Sequence, residues 1–160
     1  MLGVGPLEHG ELRLSQSGVI LDYLAERFPR FGARDSSERR EILRWLLWDN
    51  HKLTSYSATY RYFRMFAPGT DRAVVAEFGK RALANLQILD DHLATRSFVA
   101  TDRPSIADLS ICGYLYFDDE LGLDWSTLPH VKRWLDRLRG LPGWKHPYQL
   151  LPGHPLPRKG

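Results

Sequence analysis

Four short stretches of the chain carry side chains suited to binding or transforming a ligand. Gln16 and Ser17 stand at the head of an apolar helical period. A serine there offers its hydroxyl, free backbone N–H groups and the positive end of the helix dipole to a carboxylate; the plainer alternative is a helix cap. Asn50, His51 and Lys52 interrupt an apolar helix face with three polar groups. They either point into a cleft, toward a ligand carboxylate or a partner subunit, or form an exposed turn. Tyr56, Tyr60 and Phe63 share one helical stripe. The stripe suits an apolar pocket in which tyrosine hydroxyls orient an electrophile, or a packing surface in a core or between subunits. Arg61 and Arg64 flank it and read as solvated. Cys112, the single cysteine, lies among Ile111, Gly113 and Leu115. An activated thiol needs an electropositive, partly exposed setting, so Cys112 reads as a small buried hydrophobe.

The other polar residues argue against several chemistries. His9, His51, His92, His130, His146 and His154 are scattered, with no helical His pair and Glu of the kind that holds a catalytic metal, so no metal is expected. Asp90-Asp91 and Asp118-Asp119-Glu120 lie near helix ends, without the spacing of a paired acid and base, and read as solvated. The net charge is +3 and the pI about 9.1. The basic residues run from Arg13 to Arg158 interleaved with acids, without a cluster or a nucleic-acid motif, so nucleic acid is not an expected partner. A mild positive balance suits small anionic ligands. No apolar run is long enough to span a bilayer, and Met1 to Pro6 lacks the pattern of a signal peptide. One cysteine permits no disulfide within the chain, which fits a reducing, cytoplasmic setting.

The elements that position these groups begin with Ser105-Ile106-Ala107-Asp108. Ser105 is a good helix cap, and Asp108 can reach back to its N–H as a capping box. Loss of either is expected to cost roughly 0.5–2 kcal/mol. The helix that follows, Ile106 to Phe117, is apolar nearly all round and is expected to be central. Upstream, Glu11 to Leu14 alternates polar and apolar as a short strand, with no partner strand visible. Val19, Ile20, Tyr23, Leu24 and Phe28 follow a helical period from Ser17 until Pro29 and Gly32. Ser36 or Ser37 caps the next helix, which meets no proline or glycine before Pro68-Gly69 and can run for about 30 residues with a bend. Asp71 caps a third, where Val75, Phe78, Ala82, Leu86, Leu89 and Leu93 form the clearest amphipathic stripe. Leu128-Pro129 starts a fifth helix through Val131, Trp134, Leu135 and Leu138, ended by Gly140 to Gly143. Trp144 to Gly160 has no period.

These features resemble the glutathione transferases. In that family a thioredoxin-like half precedes an all-helical half. Ser105 to Asp108 matches the family's Ser/Thr-x-x-Asp box before the central helix. Leu12 to Leu24 matches its last strand and following helix, with the Gln16-Ser17 pair at their junction. The resemblance covers residues 7 to about 145. It implies a mainly α fold: a transferase-type helical bundle of about five helices behind a short strand, the remnant of a truncated thioredoxin-like domain. Residues 1–32 would be that remnant, 36–145 the all-α domain and 146–160 an irregular tail.

By the same resemblance, Gln16 and Ser17 hold reduced glutathione, the co-substrate, while Tyr56, Tyr60, Phe63 and Asn50 shape the pocket for a small electrophile. The family's catalytic residue falls upstream of the matched part, so no residue receives that role. Pro6 stands one position from the family's Val-Pro segment and is not given the role of its cis-proline. The resemblance also implies a homodimer, to which Trp45 and Trp48 on the long helix are suited. The alternative is a non-catalytic interaction or dimerisation module of the same fold.

Overall fold

The structure, a computed structural model, describes residues 6–28 and 30–150. The readings made for Met1 to Gly5, Pro29 and 151–160 lie outside those residues.

The chain opens with β1 (Leu7–His9) and β2 (Leu12–Leu14), an antiparallel hairpin in which Leu7 faces Leu14 and His9 faces Leu12. The strand expected to lack a partner therefore has one, five residues upstream. Leu7 to His9 is too short and too mixed in character to be read as a strand, and pairing is what defines it. Gly10 makes the reversal at φ +62, a value a two-residue hairpin turn requires and glycine adopts freely.

Helix α1 (Ser17–Arg27) follows, then α2 (Ser36–Trp48). The cap of α2 is Asp35 rather than Ser36 or Ser37: its Oδ1 accepts the amides of Ser37 and Glu38 at 2.7 and 2.8 Å. The expected bend is a π turn, Asp49–Leu53, leading into α3 (Thr54–Met65). Helix α4 (Arg72–Leu93) starts where Asp71 accepts the Ala73 amide at 2.7 Å. Helix α5 (Ile106–Cys112) is shorter than the apolar run that announced it. Beyond Cys112 the chain tightens into a turn, with the Leu115 amide donating to the Cys112 carbonyl at 3.0 Å. The one-turn α6 (Asp118–Leu121), α7 (Pro129–Arg139) and the one-turn α8 (Pro147–Leu150) complete the described chain. All five helices read from the sequence are present; the π turn divides the second, and α6 and α8 are additions.

Helix α4 packs along α3 on one side and α7 on the other, while α5 lies against α1 and α2. The core is built from Leu53, Leu86, Leu89, Ile111, Leu115 and Trp134, each under 2% exposed. Burial on this scale is the main stabilising term, worth about 1.5–3 kcal/mol for each large apolar side chain. Two carboxylates read as solvated are buried here. Asp90, 3% exposed, reaches from α4 to accept the His130 and Val131 amides, both at 2.8 Å, and so caps α7. Glu120, 9% exposed, pairs with Arg61 and with the Tyr148 hydroxyl. Arg61 is accordingly not solvated: it lies 4.1 Å over the Phe117 ring and donates to Tyr148 Oη at 2.9 Å. Among the described residues no helix is long and apolar enough to cross a membrane.

Candidate functional site

A cleft of about 630 Å³ opens between α1 and α2. Gln16, Gly18, Val19 and Asp22 line one wall; Leu43, Leu46, Leu47 and Asn50 line the other. The second wall is one helical stripe of α2, running at intervals of three and four to the first residues of the π turn. Val19, Leu43 and Leu47 are 50%, 52% and 63% exposed, so the apolar lining is open. At the rim Arg39 Nη2 lies 3.3 Å from Asp22.

Gln16 lines the cleft, and Ser17 stands between Gln16 and Gly18 without itself lining it. Gln16 has φ 70 and ψ 119, the only positive φ at a described residue other than glycine. That backbone is strained, by an amount of order 1–3 kcal/mol for such outliers. It turns the chain sharply out of β2 and starts α1 at Ser17, which is exposed. No side chain caps this end. The first-turn amides therefore face outward, beside a serine hydroxyl, at the positive end of an 11-residue helix. Asn50 stands across from Gly18: a Cβ built on Gly18 would lie 3.7 Å from Asn50 Nδ2. Asn50 Nδ2 donates to the Leu46 carbonyl at 2.7 Å. Its Oδ1 has no partner among the described residues. The cleft can thus offer donors to an anionic group at one end and an apolar trough along its length.

The structure brings Gln16 and Asn50 to one cleft, leaves Ser17 exposed at its edge beside Gly18, and places Tyr56, Tyr60 and Phe63 elsewhere. The aromatic stripe packs on α4. Tyr56 and Phe63 contact Phe78 with ring centroids 5.8 and 5.2 Å apart, and Tyr56 Oη accepts from Arg81 at 3.2 Å. Tyr60 lies flush against Gly79. Tyr60 and Phe63 also border a shallow groove of about 400 Å³ with Ala67, Pro68 and Thr70, which shares no lining residue with the cleft.

The capping box is formed. Asp108 Oδ2 accepts the Ser105 amide and hydroxyl, and Oδ1 accepts the Val99 amide and the Trp134 indole N–H, all four at 2.9 Å. Cys112 is 8% exposed, and burial pushes its thiol up to about 12, leaving it without a nucleophilic thiolate at neutral pH. Among the described residues no three His, Cys, Asp or Glu side chains converge as a metal site. Asp49, which no sequence signal singled out, is 1% exposed in the π turn, and burial raises its carboxyl above its ordinary value despite hydroxyl donors from Ser110 and Thr54.

An antiparallel hairpin and helix set before an α bundle, with a buried Ser-x-x-Asp box in front of its central helix, define a transferase-type helical domain. Residues 53–142 match the family model described as glutathione S-transferase, C-terminal domain, and the chain belongs to the glutathione S-transferase family. It is 31% identical over 141 residues to the disulfide-bond oxidoreductase YghU of Escherichia coli, covering 84% of this chain and 49% of that protein. It is 28% identical over 138 residues to the disulfide-bond oxidoreductase YfcG of the same organism, covering 86% and 64%. A possible glutathione S-transferase from Rhodopseudomonas palustris superposes with a TM-score of 0.80 at 28% identity, over 88% of this chain and 64% of that one. The chain thus spans between about half and two-thirds of the length of these relatives.

Proposed function

We propose that this chain is the helical domain, with the adjoining glutathione-binding corner, of a protein that conjugates reduced glutathione to a small hydrophobic electrophile. Residues 1–32 supply that corner, 36–145 the helical domain and 146–160 the tail. The observation that carries the reading is the strained backbone at Gln16, which leaves the uncapped first turn of α1 and the Ser17 hydroxyl open beside the cleft. In this reading the γ-glutamyl carboxylate of glutathione lies on the Ser17 hydroxyl and the first-turn amides, with Gln16 beside it and Asn50 on the facing wall. The thiolate of glutathione attacks the electrophile and displaces its leaving group. The residue that lowers the thiol pKa comes from a preceding segment of the complete protein. Rate would come from that lowered pKa and from holding the two reactants in register. Tyr60 and Phe63 border a groove that shares no lining residue with the cleft, and Tyr56 is committed to Phe78 and Arg81, so the electrophile is assigned to the apolar trough of the cleft itself. The family resemblance implies a homodimer in the cytoplasm.

The names of the two Escherichia coli relatives support a second reading, in which the same glutathione site serves the exchange of disulfide bonds.

A thermal-shift titration with reduced and oxidised glutathione tests both. A dose-dependent rise in melting temperature, lost in Ser17→Ala, is expected, because a ligand that prefers the folded state stabilises it. A larger rise with oxidised glutathione favours the disulfide reading. No rise at millimolar concentrations of either form overturns the site assignment and leaves the interaction-module alternative.

A further inference from the structure

We infer that Asp49 is a positioning residue, whose buried carboxylate, tied to Ser110 across the helix interface, holds the start of the π turn in which the neighbouring Asn50 sits on the cleft wall opposite Gly18. This rests on the proposed glutathione site and adds to it the group that fixes one of its walls.

No glycine or proline interrupts 36–65, so local propensity alone would continue α2 straight into α3. The hydrogen-bond ladder instead widens over Asp49–Leu53. A π turn inserts an extra residue and rotates everything after it, and such turns occur frequently at functional sites. Here the rotation ends the cleft wall. Leu43, Leu46, Leu47 and Asn50 face the cleft, whereas Leu53, the next residue on that stripe, is 0% exposed and belongs to the core. Asn50 is therefore the last side chain the wall presents.

What holds the widened turn is Asp49. Its Oδ1 accepts from Thr54 Oγ1 at 2.7 Å, across the turn itself. Its Oδ2 accepts from Ser110 Oγ on α5 at 2.6 Å. These two hydroxyls are its side-chain hydrogen-bond partners, and no cation pairs with it among the described residues. A carboxylate buried on two neutral donors is an expensive way to fasten a helix, since an apolar residue of similar size avoids the desolvation penalty. It does what an apolar residue cannot: it ties the rotational setting of the turn to α5 by two directed bonds. Within the turn the Asn50 carbonyl accepts from the Ser55 hydroxyl.

The test is calorimetric titration of the full chain with reduced glutathione for the wild type, Asn50→Ala, Asp49→Asn, Ser110→Ala, Ser110→Thr and the double variant Asp49→Asn/Asn50→Ala. Val131→Ala, in the core away from the cleft, serves as the control for stability loss alone. Asp49→Asn and Ser110→Ala are expected to weaken binding about fivefold, the scale of one hydrogen bond. Ser110→Thr, which keeps the hydroxyl, is expected to bind as the wild type does. The double variant is expected to bind no more weakly than Asn50→Ala alone, and Val131→Ala to melt earlier with unchanged affinity. Asn50→Ala weakening binding while Asp49→Asn and Ser110→Ala leave it unchanged would overturn the positioning role and keep the site. Wild-type affinity in Asn50→Ala would overturn the inference and keep the site at Ser17, whereas no wild-type binding would remove both. Should Asp49→Asn fail to fold, the two Ser110 variants decide the matter.

Discussion

The indole N–H of Trp134 donates to Asp108 Oδ1 at 2.9 Å, joining α7 to the first turn of α5 through two side chains that are each 0% exposed. The same carboxylate takes three further donors from Val99 and Ser105, so one acidic residue fastens the loop before α5, the cap of α5 and the middle of α7.

Removing that acceptor strands all the donors at once. Each buried donor left unsatisfied costs about 1–3 kcal/mol. Asp108→Ala is therefore expected to lower the urea midpoint drastically or to prevent folding, whereas Trp134→Leu, which removes one donor along with ring volume, leaves the other three bonds in place. Tryptophan fluorescence against urea concentration measures both. A loss below about 1 kcal/mol for Asp108→Ala would show that these bonds contribute little.

Gly79 and Tyr60 make a second test, in which two effects oppose each other. Alanine in place of glycine in a helix interior gains about 0.8–1 kcal/mol from propensity. A Cβ at Gly79, however, would lie 2.8 Å from Tyr60 Cε2 and 2.9 Å from Cζ. Overpacking of that kind typically costs about 1–3 kcal/mol, more than the propensity gain. Gly79→Ala is expected to lower the melting temperature in the wild type and to raise it in a Tyr60→Ala background. A rise in both backgrounds would show that the ring moves aside.

The pair Glu38 and Arg103 makes the fold sensitive to acid. Arg103 Nη1 and Nη2 each lie 2.9 Å from a Glu38 carboxylate oxygen, and Nη2 also donates to the Gly32 carbonyl at 2.7 Å. The guanidinium, helped by the Arg34 amide, holds the Glu38 carboxyl down at about 2. A carboxyl depressed in the folded state contributes its stability above the unfolded value, about 4.3, and loses it as pH falls through the folded value. The melting temperature of Glu38→Gln is therefore expected to lie below that of the wild type at pH 7. The gap should narrow between about pH 4 and pH 2 and vanish below that window. A gap that persists unchanged at pH 2 would contradict the pairing.

Much of the scaffold was legible because its causes are local. The α4 stripe from Val75 to Leu93, the Asp71 cap, Pro129 at the start of α7 and the Ser105–Asp108 box each depend on residues within a turn or two of one another. Their geometry follows from helical spacing and from the valence of backbone amides, whatever the rest of the chain does. The Gln16-Ser17 junction was legible as a serine at a helix start, and the strained φ of Gln16 gives that junction its physical content.

The tertiary structure decided the rest, and the reason is distance along the chain. Asp90 caps a helix 40 residues away, Arg61 meets Glu120 at a separation of 59, and Asp49 meets Ser110 at 61. No periodicity encodes such partners, so acids that looked solvated are buried and an arginine that looked free is bound. Which face of α3 carries Tyr56, Tyr60 and Phe63 was a matter of how the π turn rotates the second half of the long helix. That rotation depends on how the turn docks against α5, which exists only once the helices have packed.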